Sequence, residues 1–579
     1  MMHPGAGRAA QWIVICALAA VAVCAGANPA IAATYVVDQA HPRASDDGPG
    51  DEASPWKTLQ HAADAARPGD TVLVLPGVYE GTVAVKSSGT PGAPIVLRAM
   101  RDGSGPDGAV VIEGGDPGVD LRNREHVRLE GFEIRRTSGR AGIDMDGAKH
   151  VEIVGNHIHH TDGTGIVIQY GDDCLISENY IHNVGGLGVH AGGRTYRINR
   201  TQFVRNHIHD NQVEDGIQIG CGEDCLIAHN FIHDIFAPAP SHTDGIQLHS
   251  DNRDYRIIGN VLHRIRSEGF MIGGPGSRGA DLPPAAQVLE YNVISDGGGV
   301  SFITSSASRN AVWRYNTALW GHYHSMLVHN GSTGATLVAN LFQTPEGGIL
   351  LREDAQDGVT IDYNLTAGDF GVRGEHGVHA DPMLVDPKQA NSPVMPNARL
   401  RPGSPAIDAG PDGTDIGALE YPNVYYVDAN HPGAADDLYG YRAAPFSTIA
   451  KACSVAGPGE TIVLREGVYR EVLAPQQGVT VRTMPGEEVV LSGADLITGW
   501  RREGDAWSAP VTAGPRTVLR DGRAFRDLTY DARAGRVTVR GGDPRLHVFE
   551  TVVRGKAIDV VGKPSGLIEG IRTVNVLSE

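Results

Sequence analysis

Two stretches of the sequence set an acid, a glycine, an aliphatic residue and an amide in the same order: Asp215-Gly216-Ile217-Gln218 and Asp244-Gly245-Ile246-Gln247. A third acid, Glu268, precedes Gly269. His242 stands two residues before Asp244, and His249 two after Gln247. If these stretches lie side by side, Asp215, Asp244 and Glu268 share one column. Three carboxylates in a column repel one another, so they either bind a cation or hold a proton. Calcium suits an Asp/Asp/Glu set supported by Gln218 and Gln247. A shared proton suits acid–base catalysis, with His249 or His190 as a base that titrates near neutrality.

The elements that must align these residues are short strands of the form Gly-apolar-x-apolar. They begin at Gly142, Gly165, Gly188, Gly216, Gly245, Gly269 and Gly299. Each is followed by a second strand introduced by Asn, from Asn156 through Asn179, Asn206, Asn230, Asn260, Asn292, Asn316 and Asn340 to Asn364, at intervals of 23 to 32 residues. Short period-two strands repeating at this interval predict a parallel β-solenoid. Stacked rungs lie about 4.8 Å apart, so residues distant in sequence become neighbours. The asparagines are expected to form an internal amide ladder. His159, His182, His209, His233 and His263, three residues beyond the asparagines, are expected at a repeated structural turn position rather than as metal ligands.

The chain has 579 residues, a net charge of -19, and 41% hydrophobic residues with 75 Gly and 34 Pro. The acidic balance speaks against nucleic acid as a partner, and the apolar content against global disorder. Residues 1–33 read as a secretory signal: Arg8, an apolar run from Trp12 to Ala25, and Ala30-Ile31-Ala32 for cleavage. That run is short of the roughly 20 residues a membrane span needs. The expectation is an exported monomer with no membrane anchor after cleavage. Cys221 and Cys225 are close enough for a small disulfide loop.

With the repeat in view, residues 35–421 resemble the right-handed parallel β-helix proteins of the pectate-lyase-like superfamily. The opening Tyr35-Val36-Val37-Asp38, Pro55-Trp56-Lys57-Thr58-Leu59-Gln60 and Pro76-Gly77-Val78-Tyr79 carries that resemblance, as does the closing Ser404-Pro405-Ala406-Ile407-Asp408 with Asp415-Ile416-Gly417-Ala418-Leu419-Glu420. The opening recurs at an offset of 390, in Tyr425-Tyr426-Val427-Asp428 and Gly467-Val468-Tyr469. The domain plan is therefore a signal (1–33), an N-terminal cap with first rungs (34–118), a main solenoid with its closing segment (119–421), and a second, short or truncated β-helix-like unit (422–579).

The resemblance implies a polysaccharide or other glycan as partner, and a lyase that cleaves a uronic-acid polymer by β-elimination. In such lyases clustered acids hold calcium, and Lys or Arg removes the acidified proton. No lysine occurs between Lys149 and Lys388, so Arg264 and Arg266 are the nearest basic candidates. The candidate catalytic set is Asp215, Asp244, Glu268, His249, His190, Arg264 and Arg266, with Asp215, Asp244 and Glu268 as metal ligands. Gln218, Gln247, His242, Trp320 and Tyr323 are candidates for substrate contact. One alternative is a glycoside hydrolase working through paired carboxylates, although the paired-Asp strand and Arg-Ile-Lys motif of the polygalacturonase-like branch are missing. The other is a non-catalytic extracellular scaffold.

Overall fold

The structure is a computed structural model. It describes residues 32–579 except 101–108, 212, 237–241, 274–286, 307, 322–323, 345–347, 369–370, 390–391, 512–514, 516, 541–542, 555–556, 560–566 and 575–579. The expected signal therefore lies almost wholly outside the described residues.

Each rung of the main solenoid feeds three parallel sheets in turn. Sheet 1 has 13 strands, from Thr34–Val37 to Thr360–Asp362; sheet 2 has 13, from Gly77–Glu80 to Val378–His379; sheet 3 has 11, from Val83–Ala84 to Ile349–Leu351. A short fourth sheet of five strands, Ala148–Lys149 to Asn252–Arg253, lies between sheets 3 and 1. Alternation along each strand sends one side chain inward. Ile143, Ile166, Val189, Ile217, Ile246, Phe270 and Phe302 form a fully buried file. Phe270 and Phe302 stack at 4.8 Å with their rings nearly parallel.

Two sequence signals acquire causes here. The strand glycines are steric: a Cβ at Gly245 would fall 2.4 Å from Leu262 Cδ2 and 2.8 Å from the Gly269 carbonyl oxygen. The asparagines sit at the bend between sheets 1 and 2. Beyond Asn156, each Oδ1 accepts from the backbone N–H and the side-chain amide of the preceding asparagine, as Asn260 does from Asn230 at 2.9 Å in both cases. The freed Nδ2 of Asn260 donates to the Ile227 carbonyl at 3.0 Å. Polar groups that a dry bend would strand are thereby paired.

A helix, Leu59–Ala65, capped by the Thr58 side chain, buries Leu59, Ala62 and Ala63 over the first rungs. At the other end, the outer face of sheet 2 turns apolar. Phe231, Val261, Val293, Leu319, Leu341 and Leu365 are covered by a closing segment that includes Leu384, Met395, Leu400 and Ile416, with Tyr441 of the following unit. Arg399, 2% exposed, fastens this segment to residues 424–441. Its guanidinium donates to the Tyr439, Val424 and Gly440 carbonyls and lies over the rings of Tyr425 and Tyr441.

From Val424 the parallel winding restarts. Val424–Val427, Thr461–Leu464, Thr480–Thr483 and Ile568–Glu569 form one sheet, and Gly467–Tyr469, Val489–Ser492 and Ile571–Val574 another. Between Val489–Ser492 and Ile568–Glu569 the chain inserts two antiparallel four-stranded sheets, within 494–552. This unit packs on the main solenoid. Asp428 pairs with Arg205, Arg545 with Asp38, and Asp543 N donates to Glu52 at 2.6 Å. Cys174, Cys221, Cys225 and Cys453 are buried thiols outside any disulfide, so the Cys221–Cys225 bridge that their spacing allowed is not formed.

Candidate functional site

The rung register brings the two Asp-Gly-Ile-Gln stretches side by side. Ile217 pairs with Ile246 and Gln218 with Gln247, and the next strand adds Phe270 and Met271. The Gly216 and Gly245 amides donate to the Asp244 and Glu268 carbonyls. Asp215, Asp244 and Glu268 are thus consecutive members of one column. Its continuation differs from the sequence spacing, which puts Gly298 and Ser301 next. Phe270 pairs with Phe302 and Met271 with Ile303, so the rung is displaced by two residues. A slip of two keeps every side chain on its face, which hides it from pattern alone.

The column is less exposed than a surface groove would have it. Asp244 is 0% exposed and Asp215 2%. Asp215 Oδ1 accepts from Asp244 N at 2.7 Å, and Asp244 Oδ1 from Glu268 N at 3.1 Å. The second oxygens accept from the amides beside them: Gln218 Nε2 donates to Asp215 at 2.9 Å and Gln247 Nε2 to Asp244 at 2.8 Å. Gln218 Nε2 also reaches Gln247 Oε1 at 3.0 Å. The two glutamines, expected to hold substrate, are therefore first of all the carboxylates' own partners.

His242 completes the cluster from outside. Its side chain is half exposed, with Nδ1 3.3 Å from Asp244 Oδ1 and Nε2 2.6 Å from Glu268 Oε2. Its hydrogen bonds to the two carboxylates push its pKa up to about 10, so at neutral pH it is a cation. Burial and the nearby Asp244 charge push Asp215 up to about 7. Burial also raises Asp244, against the pull of His242. For Glu268 the upward effect of burial loses to the His242 contact, and the carboxyl is lowered. The cluster is a desolvated acid pair closed by an imidazolium.

Two further imidazoles lie on the same sheet. His190 is the strand partner of Gln218, and His249 follows the Gln247 strand. Burial, then the Arg140 charge, lowers the pKa of His190. Burial, then His190 and Arg194, lowers that of His249. Both shifts favour the neutral imidazole.

The remaining expected residues fall elsewhere. Arg264 ends a sheet 2 strand, 2.6 Å from Asp234 and over the Phe236 ring, so it is committed away from the column. No hydrogen bond or ion pair joins Arg266 to the column among the described residues. Trp320 is a packing residue: its Nε1 donates to the Pro387 carbonyl and its ring lies against the closing segment. Tyr323 lies outside the described residues. Around the column, among the described residues, ligand atoms of His242, Asp244 and Glu268 converge within 4.8 Å, and Asp215 adjoins them through the Asp244 N–H. Two carboxylates and an imidazole are a poor match for calcium, which takes six to eight oxygens. His242, expected to contact substrate, instead pairs with the carboxylates; its place two residues before Asp244 was visible in the sequence, but its reach to Glu268 was not.

Residues 109–277 match the family model described as the right handed beta helix region. The fold is a right-handed parallel β-helix. A curated relative, the uncharacterized protein YwoF of Bacillus subtilis (strain 168), is 32% identical over 101 residues, 16% of this chain; the chain spans about a fifth of that relative's length. Among solved β-helix structures, the pectate lyase Pel9A is 16% identical over 67% of this chain and 96% of its own, with a TM-score of 0.45. The alginate lyase of Paenibacillus sp. str. FPU-7 is 16% identical over 57% and 99%, TM-score 0.36. The GH136 lacto-N-biosidase of Eubacterium ramulus is 14% identical over 60% and 68%, TM-score 0.44.

Proposed function

We propose that this protein is an exported enzyme acting on a polysaccharide, and that it cleaves a uronic-acid-containing polymer by β-elimination on the outer face of sheet 3. The observation that carries this is the half-exposed imidazolium of His242, closing a buried carboxylate pair on a face that also holds two neutral imidazoles. β-Elimination needs a positive group at the uronate carboxylate, a base for the adjacent carbon-bound proton, and a proton for the departing oxygen. His242 supplies the charge. His190 serves as the base, with His249 further along the same sheet. The carbon-bound proton passes to His190, the C–H electron pair forms the new double bond as the glycosidic C–O bond breaks, and the leaving oxygen takes a proton from water, whose hydroxide is neutralised by the proton that His190 then gives up. Asp244 and Glu268 hold His242 charged, and Asp215 buttresses Asp244 through its backbone N–H. No step is assigned to calcium.

A hydrolase is the second reading, favoured by Asp215. A carboxyl held near neutrality is suited to be a general acid. Against it, neither aspartate of the pair is exposed.

The test is incubation of the mature protein with polygalacturonate, alginate and neutral glycans, with and without chelator. Reducing ends are read alongside the ultraviolet absorbance of the unsaturated product. A chelator-resistant absorbance from a polyuronate is expected. Reducing ends without absorbance would transfer the site to hydrolysis, and binding without either would leave a scaffold.

A further inference from the structure

The outward face of sheet 2 carries two adjacent files of rings. One runs His157, Tyr180, His207, Phe231, and the other His159, His182, His209, His233, His263, each pairing with its counterpart on the next rung. These histidines lie in strands, not in the turn position expected. The residue directly after them adopts a left-handed backbone at Asn183, Asp210 and Asp234.

The hydrogen bonds of three of these rings place their protons. His209 Nδ1 lies 2.7 Å from Asp210 Oδ2, and His233 Nδ1 2.7 Å from Asp234 Oδ2. His207 Nδ1 lies 3.2 Å from the Pro432 carbonyl oxygen. A carbonyl accepts only, as does an ionised carboxylate, so each Nδ1 is the donor. In a neutral imidazole the other nitrogen then carries a lone pair. Yet His207 Nε2 and His233 Nε2 are 2.8 Å apart. Two lone pairs at that distance repel unless a cation sits between them. His209 Nε2 is beside them, 2.9 Å from the Tyr180 hydroxyl, and ligand nitrogens of all three rings converge within 4.8 Å.

We propose that His207, His209 and His233 form a site for a borderline divalent transition metal of the zinc class. Three imidazole nitrogens are a familiar zinc donor set. The carboxylates of Asp210 and Asp234 and the Pro432 carbonyl fix the ring tautomers, as outer partners of metal-bound histidines do. Tyr180 releases His209 when the ion binds. Arg264 and His263 also face Asp234. Pro432 belongs to the second unit, so the ion would fasten that unit to the main solenoid. The neighbouring set His157, His159 and His182 converges similarly, with His157 Nε2 and His182 Nε2 also 2.8 Å apart, but its third ring is not preset. His159 Nδ1 meets His160 Nδ1 at 2.7 Å, and its Nε2 faces Glu133 at 3.3 Å.

The site is tested by titrating zinc into chelator-stripped full-length mature protein, by calorimetry and X-ray absorption. One saturable ion with at least three imidazole nitrogens is expected. His209→Gln and His233→Gln should weaken it at least tenfold. Asp234→Asn, which leaves every imidazole in place, should weaken it by about 10- to 100-fold. His159→Gln and His242→Gln should leave it unchanged. Loss in His242→Gln alone would move the ion to the carboxylate cluster and overturn the proposal. So would the absence of saturable binding, which would make the cation between His207 and His233 a trapped proton.

Discussion

Among single side chains, His242 and Asp215 separate function from scaffolding. His242 is half exposed, and exposed ion pairs contribute roughly 0–1 kcal/mol. Its pKa is raised on folding, so its stabilising contribution is whole below the unfolded value of 6.5 and lost as pH rises through about 10. His242→Ala should therefore lower the melting temperature only slightly, and mainly at or below pH 6.5. Turnover should fall by about 10²–10⁴-fold if it acts as proposed; equal loss of stability and activity would make it a structural residue. Asp215 behaves in the opposite sense. Its pKa rises from 3.8 to about 7, so the folded state is penalised progressively across that interval and fully above it. Asp215→Asn keeps an acceptor for Asp244 N and removes the charge. It should match the wild type near pH 4 and melt higher at pH 8. A lower melting point at pH 8 would mean that the ionised carboxylate is stabilised by something other than Gln218 and Asp244. The acid limb of turnover should track a group titrating below 6.5 and vanish in His190→Gln.

One level up, the rung explains both what the sequence disclosed and what it concealed. The asparagines and glycines were legible because each meets an absolute constraint repeated on every rung, a dry bend or a missing Cβ. Asn260→Ala would take the acceptor from Asn230 N and from one hydrogen of Asn230 Nδ2, and a donor from the Ile227 carbonyl. At about 1–3 kcal/mol for a buried unpaired group, a loss of several kcal/mol is expected in denaturant melts. Ile217→Ala, a simple cavity in the inward file, should cost about 2–5 kcal/mol. What stayed hidden had no period. The slip of two at Phe302 preserves the alternation, and His242 belongs to a turn of irregular length. Trp320 looked like a sugar platform only because its partner, the Pro387 carbonyl, is far along the chain. Arg264 drew attention by its sequence distance from Glu268, although its backbone points it toward Asp234.

Across the full chain, the second winding is a cover as well as a duplicate. Tyr441 and its neighbours close the apolar end of sheet 2, and Arg399 ties them to the preceding segment. Deleting residues 424–579 removes those partners. The truncated protein should expose apolar surface, read as increased dye binding and aggregation, while Asp215, Asp244 and Glu268 keep their register. A truncated form as soluble and stable as the full chain would show that the cover is dispensable.

The buried thiols carry one more consequence. Burial pushes Cys174 up to about 12 and Cys225 up to about 11, so neither is reactive while enclosed. Cys221 lies two residues past the Ile217–Ile219 strand, and Cys453 lies in the short helix Ile449–Val455 of the second winding. Alkylation rates at the two positions would time the breathing of the candidate catalytic rungs and of their cover separately. The molecule can thus report which part of the coil loosens first, with no engineered label.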